Sequence, residues 1–408
     1  MRFFRDLLLA ALVTGVVLLL AELSLVLAGV KYQGSFFTSE PERGYAFRPY
    51  ARAWFEDEGD NLVTINSDGM DDKEWSIARP PGVVRIAVIG SSEVAAEQVQ
   101  REQKFQAVME RRIASALNRP RNSIEVLNFG VGGYNLPQEY LTLQHQVWKY
   151  QPQIVILGTT SMALVRSDRK LATDVIPGTP FYDCVNGHLV AERPALPAKN
   201  ASGLRIRNAV ANVVNRSRIL LALNEARING AKLLAHYKQK LSKRPSSAPG
   251  QEALAMTDEV YNPDNPVFEN AWRVEDCFFR AMKEECGRHG AEFWVVVFDR
   301  EKSINPNAEE RQAYARKVGV ASLFLTDERM AKQAEDAGIN TLMLGPDMLK
   351  YAEAKQEALH GFFNTPFNTG HWNAEGHKAA GQLISAALLL RSQVLRDLPR
   401  TTASLQDK

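Results

Sequence analysis

Val83-Val84-Arg85-Ile86-Ala87-Val88-Ile89 is a β-branched run stopped at Gly90. It reads as a strand apolar on both faces that enters a sharp turn. Phe105, Val108, Met109, Ile113 and Leu117 follow at helical spacing, giving a helix with one apolar face. Ile124-Glu125-Val126-Leu127-Asn128 is a second strand, and it ends in a glycine cluster at Gly130, Gly132 and Gly133. A helix from about Pro137 to Tyr150 then leads to a third strand, Ile154-Val155-Ile156-Leu157. Strand and helix alternating through short connections dictate a parallel sheet wrapped by helices. The rhythm returns late in the chain with a helix over Phe268–His289 and a strand over Glu292–Phe298. Asp327–Ala337, Thr341–Leu344 and Glu375–Leu390 continue it as helix, short strand and closing helix. The expected fold is therefore α/β, with three α/β/α layers around a central parallel sheet of about five strands.

The run from Leu7 to Val30 carries one ionisable side chain, Glu22, and is long enough to cross a hydrocarbon core of ~30 Å. Arg2 and Arg5 precede it, so the positive-inside rule keeps the N-terminus cytoplasmic and the body of the chain outside. A cleaved signal peptide is the competing reading, because Val26-Leu27-Ala28 before Gly29 resembles a small-residue cleavage site. The length of the apolar run favours a retained single-pass transmembrane helix, and both readings put the main domain in the periplasm or outside the cell. The chain divides into an anchor (1–30), an irregular stalk or cap (31–82), an α/β domain (83–392) with an insertion at about 172–262, and a tail (393–408). Within the insertion, a basic helix around Ile219–Leu241 precedes an exposed loop at 242–250. Its Lys232, Lys238, Lys240 and Lys243 read as a solvated face, with anionic lipid as the other reading.

Hydrophobic residues make up 45% and charged residues 24% of the 408, which excludes a mainly disordered chain. The net charge of +2 and the lack of a basic stripe speak against nucleic acid as a partner. Cys184, Cys277 and Cys286 form no CxxC motif and read as ordinary buried thiols. His371 and His377 do not match a strong zinc spacing, so neither a metal nor another cofactor is expected.

In a parallel sheet, reactive groups gather beyond the carboxyl ends of the strands. Ser91 and Ser92 stand at the first such turn, the glycine cluster at the second, and Thr159-Thr160-Ser161-Met162-Ala163 at the third. A serine there lies among backbone N–H groups that can hold an oxyanion, but it needs a base to take its proton. His371, just before the closing helix, is the candidate base. The plainer alternative makes Ser92 a helix cap and His371 a loop histidine.

Together these pieces resemble the SGNH (GDSL-like) hydrolase superfamily, in its membrane-anchored bacterial form. Arg85 through Val99 resembles the first block, Val126 through Tyr134 is similar to the second with its Asn-x-Gly-x-x-Gly pattern, and Gly370 through His377 looks like the last. Asn66-Ser67-Asp68-Gly69-Met70 also resembles the segment that precedes the core in anchored members. The resemblance implies the flavodoxin-like SGNH fold, Ser92 as nucleophile, His371 as base, and oxyanion or supporting roles for Gly133, Asn128, Ser91 and Asn368. Three positions depart from the pattern. Ser91 replaces the first-block aspartate, Ala163 aligns with the third-block asparagine, and Asn368 replaces the last-block aspartate. The expected function is an extracytoplasmic serine esterase or O-acyl hydrolase, acting on an acylated envelope glycan or lipid through a Ser-His dyad. Its rivals are a catalytically impaired relative serving as a binding or structural component of an envelope complex, and an O-acyltransferase on polysaccharide.

Overall fold

The computed structural model describes residues 2–172, 176, 178–192, 201–241 and 258–398. The chain opens with α1 (Arg2–Leu27), a long apolar helix with no buried residue. Two antiparallel hairpins follow, β1 (Phe37–Glu40) with β2 (Gly44–Phe47), and β3 (Arg52–Phe55) with β4 (Asn61–Thr64). Residues 31–82, expected as an irregular stalk, are thus partly ordered strand. Phe36, Tyr45, Phe47, Ala53, Val63 and Ile65 pack with Ala95, Val131 and Tyr134 in one apolar cluster, which welds the hairpins to the turns of the sheet domain.

The sheet domain begins with β5 (Val84–Gly90), α2 (Ser92–Ala95), α3 (Phe105–Ala116) and β6 (Ile124–Asn128). Next come α4 (Leu136–Thr142), β7 (Ile154–Thr159) and α5 (Ser161–Ser167). The single helix expected to Tyr150 instead ends at Thr142 and continues as a wider π turn, Leu143–Val147, and a 3-10 turn, Trp148–Tyr150. The inserted stretch holds a hairpin, β8 (Tyr182–Val185) with β9 (His188–Ala191), and two helices, α6 (Ala201–Val214) and α7 (Arg218–Leu241). The expected loop at 242–250, the lysine side chains of α7 and the tail beyond 398 lie outside the described residues. The chain then runs through α8 (Glu269–Arg288), β10 (Glu292–Val297), α9 (Ala308–Val318), α10 (Leu325–Asp336) and β11 (Asn340–Met343). It closes with α11 (Gly345–Lys355), α12 (Ala374–Arg391) and α13 (Gln393–Arg396).

Five strands form the central sheet in the order β11-β10-β7-β5-β6, and every neighbouring pair is parallel. Side chains alternate between its two faces, as strand geometry requires. Ala87, Ile89, Val155, Leu157 and Val295 face a core shared with α4, α8 and α10. Ile86, Val88, Ile154, Ile156 and Val296 face another shared with α3, α11 and α12. The fold is therefore α/β in three layers, as the alternation of the sequence implies. From β5 the chain steps to β6 on one side and then to β7 on the other. That reversal leaves a crevice beyond the end of β5, the place where open α/β sheets bind ligands.

One expectation about the cysteines is overturned. Cys184 of β8 and Cys277 of α8 form a disulfide that ties the inserted hairpin to the sheet domain, while Cys286 is a buried free thiol. Spacing along the chain could not reveal a partner 93 residues away.

Candidate active site

The crevice beyond β5 is where the first candidate stands. β5 ends at Gly90, and the chain turns at once into the four-residue helix α2, placing Ser92 at its first position. The helix cap is Ser91, whose side chain makes no capping bond. Capping therefore does not account for the Ser92 hydroxyl. That hydroxyl donates to Glu93 Oε2 at 3.1 Å and lies 2.8 Å from His371 Nε2.

His371 comes from the loop closed by an isolated bridge between His360 and Trp372, just before the start of α12. Asn373 caps α12 by accepting from the N–H groups of Glu375 and Gly376, which fixes the helix two residues past the imidazole. On the other side, His360 Nδ1 meets the Gly370 carbonyl at 2.6 Å and its Nε2 meets buried Asp299 at 2.9 Å. Both ring nitrogens thus face acceptors, and Asp299 outweighs the burial penalty to raise the His360 pKa. This buried His360–Asp299 pair braces the turn that carries His371.

The acid partner of His371 is Glu58. Its Oε2 lies 2.9 Å from His371 Nδ1 and accepts the His371 backbone N–H at 2.9 Å as well. Glu58 sits in the turn between β3 and β4, far from the position beside the histidine where an acid was sought. Asn364 clamps that turn: its Oδ1 accepts from Gly59 N–H at 2.8 Å and its Nδ2 donates to the carbonyls of Glu56 and Gly59. Asn61 Nδ2, at the start of β4, donates to the carbonyls of Glu97 and Val99 and so ties the hairpin to the segment after Ser92. Gly370 makes room for the carboxylate. Its φ is +69°, and a Cβ there would stand 2.6 Å from Glu58 Oε1.

Asn368, expected to orient the imidazole, does not do so. It sits in the left-handed region (φ 58°), its N–H donates to the His360 carbonyl, and its own carbonyl accepts from Lys302 Nζ. Asn128 is likewise a brace. Its Oδ1 accepts from Gly130 N–H, and its Nδ2 reaches the carbonyls of Asp71 and Ala95. Ser91 contributes its carbonyl to the N–H groups of Val94 and Ala95, while the hydrogen bonds of His371 go to Ser92 and Glu58. Ala163 lies on α5 inside the apolar core, so no polar side chain reaches the crevice from that position. Thr160 accepts from Met162 N–H as the cap of α5, Ser161 is a partner of Arg300, and Asn135 caps α4.

Gly133 behaves differently. It has φ +79°, and a Cβ there would lie 2.9 Å from the Tyr45 hydroxyl. Tyr45 donates to the Gly132 carbonyl at 3.0 Å. That carbonyl and the Gly133 N–H belong to one planar peptide and point in opposite directions, so Tyr45 fixes the direction of the N–H. Among the described residues, neither the Ser92 nor the Gly133 N–H has a hydrogen-bond partner. Burial pushes the Tyr45 phenol up, which keeps it a donor.

Three carboxylates set the electrostatics. Burial opposes charge on His371, yet Glu93, Glu58 and Glu97 outweigh it and push the imidazole up to about 9. Burial also works against ionising Glu58, but His371 prevails and holds that carboxyl below its ordinary range. Glu97, whose Oε2 lies against Gly132, is pushed up to about 7 by burial and by Asp71. The Glu58 and His371 side chains are 21% and 28% exposed, so the group opens to solvent. Beside the Gly132–Gly133 turn lies a cleft of about 290 Å³, with Phe37, Phe181 and Tyr45 as apolar walls and Gln138 and Arg166 among its polar groups.

An alcohol hydrogen-bonded to imidazole, with a carboxylate on the far ring nitrogen, is the arrangement that activates a serine oxygen. Glu58 and Tyr45 both lie in residues 31–82, where strands of four residues leave no clear period for the sequence to mark them. The sequence there shows only an acid-rich turn, Asp57-Glu58-Gly59-Asp60, with nothing local to say where it docks.

No family model and no curated protein matches the chain. Among solved structures it is similar to an acetyl xylan esterase, at 12% identity over 75% of this chain and 100% of that one, with a TM-score of 0.34. It is also similar to a putative lipolytic protein of the G-D-S-L family from Desulfitobacterium hafniense, at 10% identity over 75% and 99% of the two chains and a TM-score of 0.32. A lipase/acylhydrolase from Enterococcus faecalis shares 10% identity over 79% of this chain and 100% of that one, with a TM-score of 0.36. Likeness at this level says nothing of activity.

Proposed function

We propose that the chain is a membrane-anchored serine esterase or O-acyl hydrolase, with its main domain outside the cytoplasm. The observation that carries this reading is the unbroken contact chain from Ser92 Oγ through His371 to Glu58. The three blocks that resemble SGNH hydrolases support it, and acylated envelope glycans or lipids are the substrates that suit the location. α1, long and apolar enough to span a bilayer, supplies the anchor.

Ser92 Oγ attacks the acyl carbonyl while its proton passes to His371 Nε2. Glu58 holds the other ring nitrogen and stabilises the positive charge that forms on the ring. The oxyanion forms between the Ser92 and Gly133 N–H groups. Collapse breaks the ester bond, and the leaving alkoxide takes the proton from His371. Water then follows the same route, bond for bond, to release the acid and restore Ser92. The acid from the β3–β4 turn supplies what the last block lacks, and this favours turnover over the binding-protein reading. The side-chain donor lost at the third block leaves two backbone donors, so modest turnover is expected.

Ser92→Ala should abolish hydrolysis of an activated acetyl ester by the full-length protein while leaving its folding intact. Wild-type hydrolysis no faster than that of Ser92→Ala would remove the esterase reading. Tyr45→Phe keeps the ring and removes the hydroxyl with its bond to the Gly132 carbonyl. It should lower kcat about tenfold with KM little changed, a fraction of what losing a direct oxyanion donor costs. A rise in KM at constant kcat would instead make Tyr45 a wall of the cleft.

A further inference from the structure

α6 wears its polarity inside out. Asn208, Asn212 and Asn215, spaced to lie on one face, are the residues that grip the body of the protein. Asn208 Oδ1 accepts from Thr38 Oγ1 at 2.9 Å. Asn212 Oδ1 accepts from Arg48 Nε at 2.7 Å and its Nδ2 donates to the Pro49 carbonyl. Asn215, one residue past the helix, exchanges two bonds with the Ser35 backbone. On the opposite face Ile206, Val210 and Val213 repeat the same spacing and are 67%, 57% and 59% exposed. A helix resting on a water-soluble body buries its apolar stripe and offers its polar one to solvent. Here the order is reversed.

The place of this helix accounts for the reversal. α7 starts immediately after it, and its first N–H groups, from Arg218 and Ile219, donate to the Glu22 carboxylate at 2.7 and 3.1 Å. Ser217 Oγ donates to the same carboxylate at 2.8 Å, and the Arg218 guanidinium reaches the Val30 carbonyl. Glu22 belongs to α1, which ends at Leu27. At 1.5 Å per residue it lies roughly 7 Å below that end. With α1 across a bilayer and its end at the surface, the corner between α6 and α7 would lie at the depth of an interfacial helix, ~5–10 Å into the boundary between headgroups and acyl chains. Leu223, 61% exposed, extends the apolar surface onto α7, and exposed Arg205, Arg207 and Arg216 flank it.

We propose that the α6–α7 corner is a second membrane contact, in which Ile206, Val210, Val213 and Leu223 enter the outer leaflet while the flanking arginines meet lipid phosphates. The inference rests on α1 spanning the bilayer. Two contacts instead of one tether would hold the domain in a fixed attitude above the surface. The asparagine face of α6 grips the segment that carries the β1–β2 hairpin, so that attitude extends to Tyr45 and the Ser92 crevice.

The test uses full-length protein in nanodiscs of phosphatidylcholine and phosphatidylglycerol. An environment-sensitive fluorophore is attached through Val210→Cys, or through Glu309→Cys on α9 as the exposed control; the native thiols are buried or disulfide-bonded. The label at 210 should emit at shorter wavelength than the label at 309. It alone should be quenched by lipids bearing a nitroxide near the headgroup end of the acyl chain. A water-like, unquenched label at 210 overturns the proposal. So does a Val210→Cys protein that oxidises to a linked dimer without lipid quenching, because the face then belongs to a second copy. Protein that fails to co-elute with the discs overturns the spanning reading and the corner together.

Discussion

Glu58→Gln lowers kcat for an activated acetyl ester by on the order of 10⁴, the scale seen when the acid of a serine–histidine–acid triad becomes an amide. The substitution keeps the size of the side chain and removes its charge. The imidazolium formed as Ser92 attacks then has no counter-ion on Nδ1. The comparison belongs above pH 9, where His371 is neutral in both proteins; otherwise the lower imidazole pKa of the variant masks part of the loss. Asn368→Gly is the contrasting change. It suits the left-handed backbone at that position and should leave kcat nearly unaltered, because Asn368 touches the His360 carbonyl and Lys302 instead of the imidazole. Equal losses in the two variants would return the acid's role to the last-block position and remove it from the β3–β4 turn.

The second large effect is on pH. A base must be neutral to accept the Ser92 proton, and the His371 imidazole is pushed up to about 9. In the charged state Nε2 donates to Ser92 Oγ, and the serine hydroxyl turns to Glu93. Once the ring loses its proton, Ser92 can donate to Nε2. The kcat/KM profile should therefore rise through a midpoint near pH 9, with activity at pH 7 roughly a hundredth of the plateau. Burial alone would pull that midpoint down, and Glu93 leads the carboxylates that hold it up. Glu93→Gln should move the midpoint toward neutrality and make the variant faster than wild type at pH 7. A flat profile, or a midpoint unmoved by Glu93→Gln, would contradict this electrostatic reading.

The parts legible in the sequence were those fixed by burial. β5, β6, β7 and β10 read as strands because a parallel strand covered on both faces is a continuous apolar run, and their limits fall within a residue or two of those expected. α9 left only a faint trace, since none of its residues is buried and only Tyr314, Ala315 and Val318 rest against the core. β1 to β4 are four residues each, too short for alternation to stand out among charged and aromatic neighbours. Ser92 and His371 were picked out by turn chemistry and block resemblance, and they stand 2.8 Å apart although 279 positions separate them. Glu58 was beyond such reasoning. Family habit looks for the acid beside the histidine, and nothing local reports that a hairpin turn 313 positions earlier fills that place. The Cys184–Cys277 bond was hidden for the same reason: tertiary proximity, not spacing, makes the pair.

Labelling with a fluorophosphonate probe, followed by mapping of the modified peptide, tests the Ser92–His371–Glu58 assignment most directly. Full-length protein at pH 9 should carry a single adduct on Ser92, formed far more slowly in His371→Ala and Glu58→Gln and absent from Ser92→Ala. An adduct on another residue, or equal labelling of wild type and Ser92→Ala, would contradict it.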